Sequence, residues 1–280
     1  METSSIQYKL ASDSDAQRIL TFLLEHFIVQ EPVCVAVALK PEDCDQELKG
    51  CLQILALVIL LFNDRDSAQI SAKIKRSNER GAKAASASGI IAEMVRLSLV
   101  DRSTLIAVDA ATDAVVGVRL CAPLKYFAKH NANKDAKDDA TTDANNKTDT
   151  PQQRPRPLSP GLAAIFALLE LLERDALDLM PNWCTTESLL KFVIVTVDER
   201  FQRRGIAKKL IELSIDRGRE LGYKGVYATL TANASQRMFA TLHFDVLKVV
   251  HHKYYLDGAG ERLFQCADGT DCAQLVFKLI

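Results

Sequence analysis

A short basic turn near residue 205 joins an apolar segment to an amphipathic one. The apolar segment, Phe192 to Val197, has strand character, and the turn Gln202-Arg203-Arg204-Gly205-Ile206-Ala207 follows it. The next apolar residues predict a helix that opens at Gly205. The first N–H groups of a helix lack intrahelical partners, the helix dipole attracts anions, and glycine permits close approach of a phosphate. The segment therefore predicts a strand, a phosphate cradle and a helix in succession.

The spacing of this turn excludes two common phosphate-binding motifs. The chain has no G-x-G-x-x-G triplet, and G-K-[ST] does not follow the first glycine. The six residues instead fit Q/R-x-x-G-x-G/A, with Ala207 in the last position. This pattern resembles the acyl-CoA signature of the GNAT superfamily of N-acetyltransferases. The resemblance implies that the cradle holds the pyrophosphate of acetyl-CoA.

Composition narrows the class of protein. With 280 residues and 48% hydrophobic content the chain can bury one ample core, and a net charge of −1 gives no electrostatic case for nucleic acid. The seven cysteines form no C-x-x-C pair, and the N-terminus has no basic segment followed by an apolar one. The longest apolar run, Leu52 to Phe62, is shorter than the roughly 20 residues that span a bilayer. We therefore expect a cytoplasmic protein without a membrane or nucleic-acid partner.

The N-terminal part predicts a strand, a helix and a turn. Ile6 to Leu10 reads as a short strand, and apolar residues from Ile19 to Phe27 recur at helical spacing. Gln30-Glu31-Pro32 follows, and proline disfavours helical backbone at the residue before it. Glu31 is therefore expected at a helix exit.

The middle of the chain predicts a hairpin between two segments that are harder to place. Thr104 to Val108 and Ala114 to Leu120 are strand-like runs on either side of a polar turn. Residues 51–90 are treated as an unplaced, insertion-like segment within a region of two helices and a loop. Residues 129–157 are rich in Asn, Asp, Lys, Thr and Pro, so we expect a disordered polar insertion there.

The C-terminal part alternates strands and helices after a helix that begins at Ser159-Pro160. The predicted order is strand, helix, strand, helix and further strands, at residues 192–197, 205–221, 226–230, 232–241, 244–255 and 273–279. This order predicts an α/β fold with a mixed sheet and helices on both faces. It resembles the GNAT core, which implies a single domain over residues 1–280 with a mostly antiparallel sheet and two splayed parallel strands.

The resemblance assigns the cofactor contacts. In the family, the pantetheine arm of acetyl-CoA lies between the splayed strands and pairs with the first of them. The expected pantetheine contacts are therefore Val195, Thr196 and Val197. The expected pyrophosphate contacts are Gln202, Arg203, Arg204, Gly205, Ile206, Ala207 and Lys208.

Four segments are similar to one branch of the superfamily, the invertebrate arylalkylamine N-acetyltransferases of the dopamine type. They are Gln30-Glu31-Pro32, the strand end Val195 to Asp198, the basic turn, and the stretch from Thr231 to Phe244. The resemblance covers the first forty residues and about residues 100–280 outside the polar insertion. It implies transfer of acetyl to a primary amine such as dopamine, serotonin, tyramine or octopamine, directly in a ternary complex.

The same resemblance assigns catalytic roles. It implies that Glu31 acts as general base, which at an ordinary glutamate pKa of about 4.3 requires burial or a water relay. Thr231 and Ser235 match two catalytic serines of the family. Many GNAT enzymes use a tyrosine to protonate the CoA thiolate, but that position is Phe239 here. Ser235 is therefore expected to donate the proton, with Thr231 as a supporting hydrogen bonder.

Other interpretations of these residues stay open. Glu31 could be a solvated helix end, Thr231 a helix cap and Ser235 a packed or solvent-facing residue. The acceptor could be a polyamine, which would require several carboxylates, or the domain could bind acyl-CoA without turnover. His251-His252 is not expected to bind metal, because adjacent strand residues point to opposite faces and no Cys or carboxylate spacing completes a site. The oligomeric state is not indicated.

Overall fold

A seven-stranded mixed sheet organises the protein in a computed structural model, which describes residues 5–39, 90–124, 160–256 and 259–280. The spatial order of the strands is β1-β2-β3-β4-β5-β7-β6. All neighbouring pairs are antiparallel except β4 and β5, which run parallel. In chain order the strands are β1 (Ile6–Leu10), β2 (Leu105–Asp109), β3 (Val115–Pro123), β4 (Leu189–Val197), β5 (Gly225–Leu230), β6 (Asp245–His251) and β7 (Cys272–Leu279).

Helices cover both faces of this sheet. In chain order they are α1 (Ala16–Phe22), α2 (Pro32–Ala36), α3 (Ile90–Ser98), α4 (Pro160–Glu173), α5 (Ile206–Glu220) and α6 (Asn233–Thr241). The apolar residues of α1 to α4 share one buried core with one face of the sheet. Those of α5 and α6 pack against the opposite face. The predicted α/β class, the mostly antiparallel sheet and the helices on both faces are confirmed.

The two parallel strands separate part-way along their length. Their pairing extends from Leu189 opposite Gly225 to Phe192 opposite Ala228 and then stops. The separation coincides with a bulge in β4, since Leu120 of β3 lies opposite Ile194 whereas the next residue lies opposite Phe192. An extra residue in one strand bends that strand and increases its twist. The bulge therefore turns β4 away from β5 and opens the predicted splay.

Element boundaries depart from the predictions mainly at turns. The helix predicted to run to Phe27 is α1 followed by a π-helical turn, Leu23–Phe27. The strand predicted over 244–255 ends at His251 and continues as a 3-10 turn. The predicted polar insertion at 129–157 lies outside the described residues. So does the unplaced segment at 51–90, except for Ile90, which begins α3.

Replacing Leu210 should destabilise the protein strongly. Leu210 of α5 is fully buried against β3, where its side chain lies close to Gly117. We expect Leu210→Ala to lower the free energy of unfolding by about 2 to 5 kcal/mol in urea denaturation, because it leaves a cavity beneath the helix. The exposed neighbour Lys209 is the control, and Lys209→Ala should change stability little. Equal effects of the two variants would contradict this packing of α5.

Candidate active site

A cleft of about 780 Å³ lies at the separation of β4 and β5. Its lining comes from both faces of the sheet: the segment after α1, the helices α3 and α4, both parallel strands, and the starts of α5 and α6. The cleft brings together twelve of the thirteen predicted site residues: Glu31, Val195, Thr196, Val197, Gln202, Arg203, Gly205, Ile206, Ala207, Lys208, Thr231 and Ser235.

The basic turn forms the predicted cradle at the start of α5. Gly205 is the N-cap residue with φ 76°, and Arg203 also has a left-handed φ of 61°. No side chain caps this helix end, and the first backbone bond of the helix runs from Lys209 to the Gly205 carbonyl. The N–H groups of Ile206 and Ala207 therefore stay open to a ligand. A Cβ at Gly205 would meet nothing within 4 Å, so glycine is required here by the backbone conformation rather than by protein packing.

Arg204 does not join the other cradle residues in the lining. Its guanidinium donates a hydrogen bond of 3.1 Å to the Arg200 carbonyl and lies 4.9 Å from the centre of the Phe201 ring. Arg203 and Lys208 line the cleft and are exposed. The positive charge within the cradle therefore comes from these two side chains.

A buried aspartate fixes the turn between β4 and the cradle. Asp198 accepts hydrogen bonds from the backbone N–H and the guanidinium of Arg200, and these contacts hold the pKa of its carboxyl below the ordinary value. The side chain of Gln202 then donates to the carbonyl of Val197 and to the side chain of Gln30, both at 3.2 Å. The last contact ties the cradle to the residue before Glu31.

Glu31 is the N-cap of α2 rather than the exit of the preceding helix. The π-helical turn ends at Phe27, whose carbonyl accepts the N–H of Glu31 at 2.9 Å, and the residue before Pro32 is extended as predicted (ψ 121°). The Oε2 atom of Glu31 accepts the Cys34 N–H at 2.9 Å, which caps α2. Its Oε1 atom accepts the hydroxyl of Thr231 at 2.7 Å. The carboxylate thus lies across the cleft, joined to the end of β5.

Burial raises the pKa of the Glu31 carboxyl above its ordinary value, and the hydrogen bonds from Thr231 and Cys34 oppose part of that rise. Glu31 is only 9% exposed, so the interpretation of a solvated helix end does not hold. Desolvation makes this carboxylate a stronger proton acceptor than one in water, and the two donors offset part of that gain. The burial that the chemistry of a general base requires is therefore present.

The two predicted hydroxyls border the cleft on the β5 side. Thr231 directly follows β5, and Ser235 lies in the first turn of α6, which begins at Asn233. The hydroxyl of Ser235 donates to the Ala232 carbonyl at 2.8 Å. Phe239, at the position where many relatives carry a tyrosine, is buried and also lines the cleft.

The wall of the cleft near Glu31 is apolar. The described residues there come from the segment after α1 and from α3 and α4, and they are Phe27, Ile28, Leu39, Ile91, Met94, Leu162, Ile165, Phe166 and Leu169. Within the described ranges, Glu31 is the one carboxylate in the lining. The cleft therefore offers an apolar wall and a single anionic group on this side.

Sequence reasoning missed two groups in the cleft. Gln30, next to Glu31, reaches the cradle through Gln202. Arg119 is a buried charge in the otherwise apolar strand β3, and it also lines the cleft. The signal for Arg119 was available, because a charged residue within an apolar strand pattern is rarely buried without a partner. No local pattern signals the contact of Gln30, which depends on the tertiary fold.

Residues 182–244, which include β4, the cradle and α6, match the model of the acetyltransferase (GNAT) family. The match to a GNAT acetyltransferase domain is thus carried by this segment of the chain. The assignment made from the basic turn is thereby confirmed, as is the prediction of an acyltransferase. Enzymes of the GNAT family use acetyl-CoA as co-substrate and an amine as acceptor.

Solved structures share the GNAT fold over the whole chain at low sequence identity. Arylalkylamine N-acetyltransferase 2 from Aedes aegypti is 17% identical, with a TM-score of 0.63 and 99% coverage of both chains. Mosquito arylalkylamine N-acetyltransferase-like 5b is 16% identical, with a TM-score of 0.59, 99% of this chain and 100% of that chain. A Drosophila melanogaster polyamine N-acetyltransferase that forms N-acetylagmatine is 16% identical, with a TM-score of 0.58 and the same coverage. A search of curated proteins finds no match.

The histidine pair has neighbours that the sequence spacing did not predict. His251 is exposed and His252 is buried, which agrees with opposite orientations. The register of β6 and β7 places Cys272 opposite His251, and with Asp271 their ligand atoms lie within 4.8 Å of one another. The argument that no Cys or carboxylate lies near the pair was therefore wrong. The absence of a metal stays a prediction. Among the described helices, none is both long and apolar enough to cross a bilayer.

The raised pKa of Glu31 predicts a pH-dependent stability. A carboxyl whose pKa is higher in the folded state than in the unfolded state loses stabilisation as the pH rises through the interval between the two values. Glu31→Gln removes this loss. Its one oxygen can still accept the Cys34 N–H, and its amide NH2 can donate to the Thr231 hydroxyl, which then reverses its role. The gain in unfolding free energy over the wild type should therefore grow as the pH rises above the ordinary glutamate pKa of about 4.3, measured by urea denaturation.

Thr231→Val is the matched comparison. It removes a hydrogen bond that lowers the pKa of Glu31 and leaves the carboxylate buried, so the variant should lose stability relative to the wild type as the pH rises over the same interval. A difference between Glu31→Gln and the wild type that does not change with pH would contradict the burial of a titrating carboxylate at this site.

Proposed function

We propose that the protein transfers the acetyl group of acetyl-CoA to the primary amine of a small arylalkylamine, directly in a ternary complex. The observation that carries this proposal is the position of Glu31. Its buried carboxylate faces the cleft from the apolar side and is bonded to Thr231 at the splay of the two parallel strands. The cradle lines the same cleft. A base and an acyl-CoA site thus share one space.

Acetyl-CoA fits the cleft from cradle to splay. The pyrophosphate is proposed to bind the open N–H groups at the start of α5 together with Arg203 and Lys208. Beyond Phe192, β4 has no pairing with β5, so the edge formed by Val195, Thr196 and Val197 is available for the amide groups of the pantetheine arm. Arg204 points away from the cleft and is proposed to support the turn rather than the pyrophosphate.

The proposed chemistry assigns one proton transfer to each side of the cleft. Glu31 takes the proton of the ammonium, directly or through water, and its raised pKa suits that task. Thr231 holds the carboxylate in place by donating to it. Ser235 is proposed to donate a hydrogen bond to the departing sulfur, which requires its hydroxyl to turn away from the Ala232 carbonyl.

The lining favours an arylalkylamine over a polyamine. The structural neighbours include enzymes named for each class of amine, so the fold does not distinguish the two acceptors. A polyamine carries two or more cationic groups, whereas the described lining offers Glu31 as its one carboxylate. The apolar wall, with Phe27 and Phe166, suits an aromatic ring attached to a single amine.

Among the described residues, Cys121, Cys184, Cys266 and Cys272 form no disulfide, and this supports the proposed cytoplasmic location. Disulfides form and persist in oxidising compartments, whereas thiols stay reduced in the cytosol. The proposed partners of the protein are acetyl-CoA and a small amine.

The test of the proposal is release of free CoA from acetyl-CoA across dopamine, serotonin, tyramine, octopamine, spermidine and agmatine. We expect kcat/KM to be highest for the aromatic amines, and Glu31→Gln to lower it by about 100-fold or more while CoA still binds. The exposed Glu199 provides the control, because Glu199→Gln should keep wild-type turnover. Preference for spermidine or agmatine would favour the polyamine alternative. CoA binding without turnover of any amine would contradict an enzymatic role.

A bulky residue at Gly205 should weaken CoA binding. Gly205→Leu places a side chain in the open space of the cradle, and we expect the Kd for CoA to rise about tenfold or more in calorimetry because phosphate hydrogen bonds are lost. Gly222, at the other end of α5, also has a left-handed φ and open space around its Cβ position, but it lies outside the cleft. Gly222→Leu should therefore cost similar stability and leave the Kd unchanged. Equal effects on the Kd would overturn the cradle assignment.

A further inference from the structure

Arg119 is a buried cation with unused hydrogen-bonding capacity. Its side chain is 1% exposed, and its Nη1 donates to the carbonyls of Ile194 at 2.9 Å and Leu120 at 3.3 Å. The guanidinium carbon lies 3.8 Å from the centre of the Phe192 ring. The Nε and Nη2 atoms are buried and have no hydrogen-bond partner in the described part of the chain.

Such an arrangement is costly unless a ligand completes it. Burial lowers the pKa of Arg119 to about 10, so the side chain is still charged at neutral pH. A buried charge without a counter-ion destabilises the folded state, and unpaired N–H groups add to that cost. An apolar residue would fill the same place in β3 without this penalty. We therefore expect the guanidinium of Arg119 to bind a group that is not part of the folded chain.

Arg119 lies beside the bulge at which β4 begins to separate from β5. Its backbone is opposite Val195, and it bonds the carbonyl of Ile194, the residue directly after the bulge. The side chain lines the cleft together with Phe192 and Phe239. The side chain thus borders the cleft near the end of the β4–β5 pairing, and the guanidinium must turn for its buried, unpaired N–H groups to reach a ligand there.

The proposed reaction generates one anion in this gap. The amine, after giving a proton to Glu31, attacks the thioester carbonyl carbon. A C–N bond forms, the C–S bond breaks, and its electron pair leaves on the sulfur of CoA. The acetylated nitrogen then releases its second proton to give the neutral amide, and that proton neutralises the thiolate to give CoA. We propose that Arg119 binds this thiolate through Nε–H and Nη2–H and stabilises it until a proton arrives. This inference rests on the proposed acetyl transfer.

The neighbouring groups explain why a cation is useful there. Phe239 has no phenol, and the Ser235 hydroxyl is engaged with the Ala232 carbonyl. The hydroxyl of serine is a much weaker acid than a thiol. A hydrogen bond from Ser235 to the sulfur therefore neutralises little of the negative charge of the thiolate. A guanidinium beside a sulfur favours the thiolate. Donors to a developing charge contribute more in a cleft from which water is excluded than in water.

The test is the ionisation of CoA bound to the protein, followed by the ultraviolet absorbance of the thiolate as the pH is raised. With the wild type, the pKa of the bound thiol should lie below that of free CoA. Arg119→Met, which keeps the length and loses the charge, should return the pKa to the free value or above it. Arg119→Lys should give an intermediate pKa, because it keeps the charge without the planar pair of donors.

Turnover and stability provide a second readout on the same variants. Arg119→Met should lower kcat about 100-fold with little change in the Kd for acetyl-CoA, the loss expected when one donor to a developing charge is removed. Its thermal midpoint should stay equal or rise, since the unpaired buried charge is gone. A purely structural role for Arg119 would instead lower the midpoint and leave the pKa of the bound thiol unchanged.

Three results would overturn the inference. If CoA binds and its thiol pKa is the same in the wild type and Arg119→Met, this role of Arg119 is wrong while the proposed function stands. If Arg119→Met selectively loses turnover of a carboxylated donor such as malonyl-CoA, the guanidinium recognises the acyl group instead. If the wild type does not bind CoA at all, both the inference and the proposed function fail.

Discussion

The separation of β4 from β5 is the constraint on which the rest of this structure depends. Parallel strands normally pair along their whole length, but here the pairing ends at Phe192 and Ala228. The bulge bends β4 at this point, so the pairing with β5 does not continue. The result is an opening through the sheet with backbone groups along its edge. Because the basic turn follows β4 directly, the same bend directs α5 and its open N–H groups toward that opening.

The opening connects two chemically different sides of the sheet. On the α5 side are the cradle and its exposed cations, and on the α1 side are the apolar wall and Glu31. Two buried groups of opposite charge line the opening without pairing to each other: Glu31 is held by Thr231, and Arg119 is bonded to backbone carbonyls. In the proposed reaction an ammonium loses a proton on one side and a sulfur gains negative charge on the other. The charge pattern of the cleft is complementary to both changes.

Local sequence was sufficient for the elements whose cause is local. Gly205 marked the start of α5, Pro32 forced extended backbone at Glu31, and the polar turn between β2 and β3 indicated a hairpin. The phosphate cradle was predicted on the same basis, because it is one continuous segment, whereas the pantetheine contacts were expected from the family resemblance. The mixed sheet followed from the order of strands and helices in the C-terminal half.

Contacts between segments that are distant in the chain could not be predicted from local sequence. The bond between Thr231 and Glu31 joins residues 200 positions apart, and it decides that the carboxylate is buried rather than solvated. The capping role of Glu31 depends on a π-helical turn that the apolar spacing did not distinguish from ordinary helix. The sequence shows Arg119 as a charged residue within an apolar strand, but only the fold shows that it lines the cleft.

The most direct measurement is a crystal structure of the protein with a bisubstrate inhibitor that links CoA through its sulfur to the nitrogen of an arylalkylamine. The account predicts that the pyrophosphate contacts the N–H groups of residues 206–208 and that the sulfur lies between β4 and β5. It also predicts that the amine nitrogen lies within reach of the Glu31 carboxylate, directly or through one water. An inhibitor bound outside this opening, or with its amine on the α5 side, would contradict it.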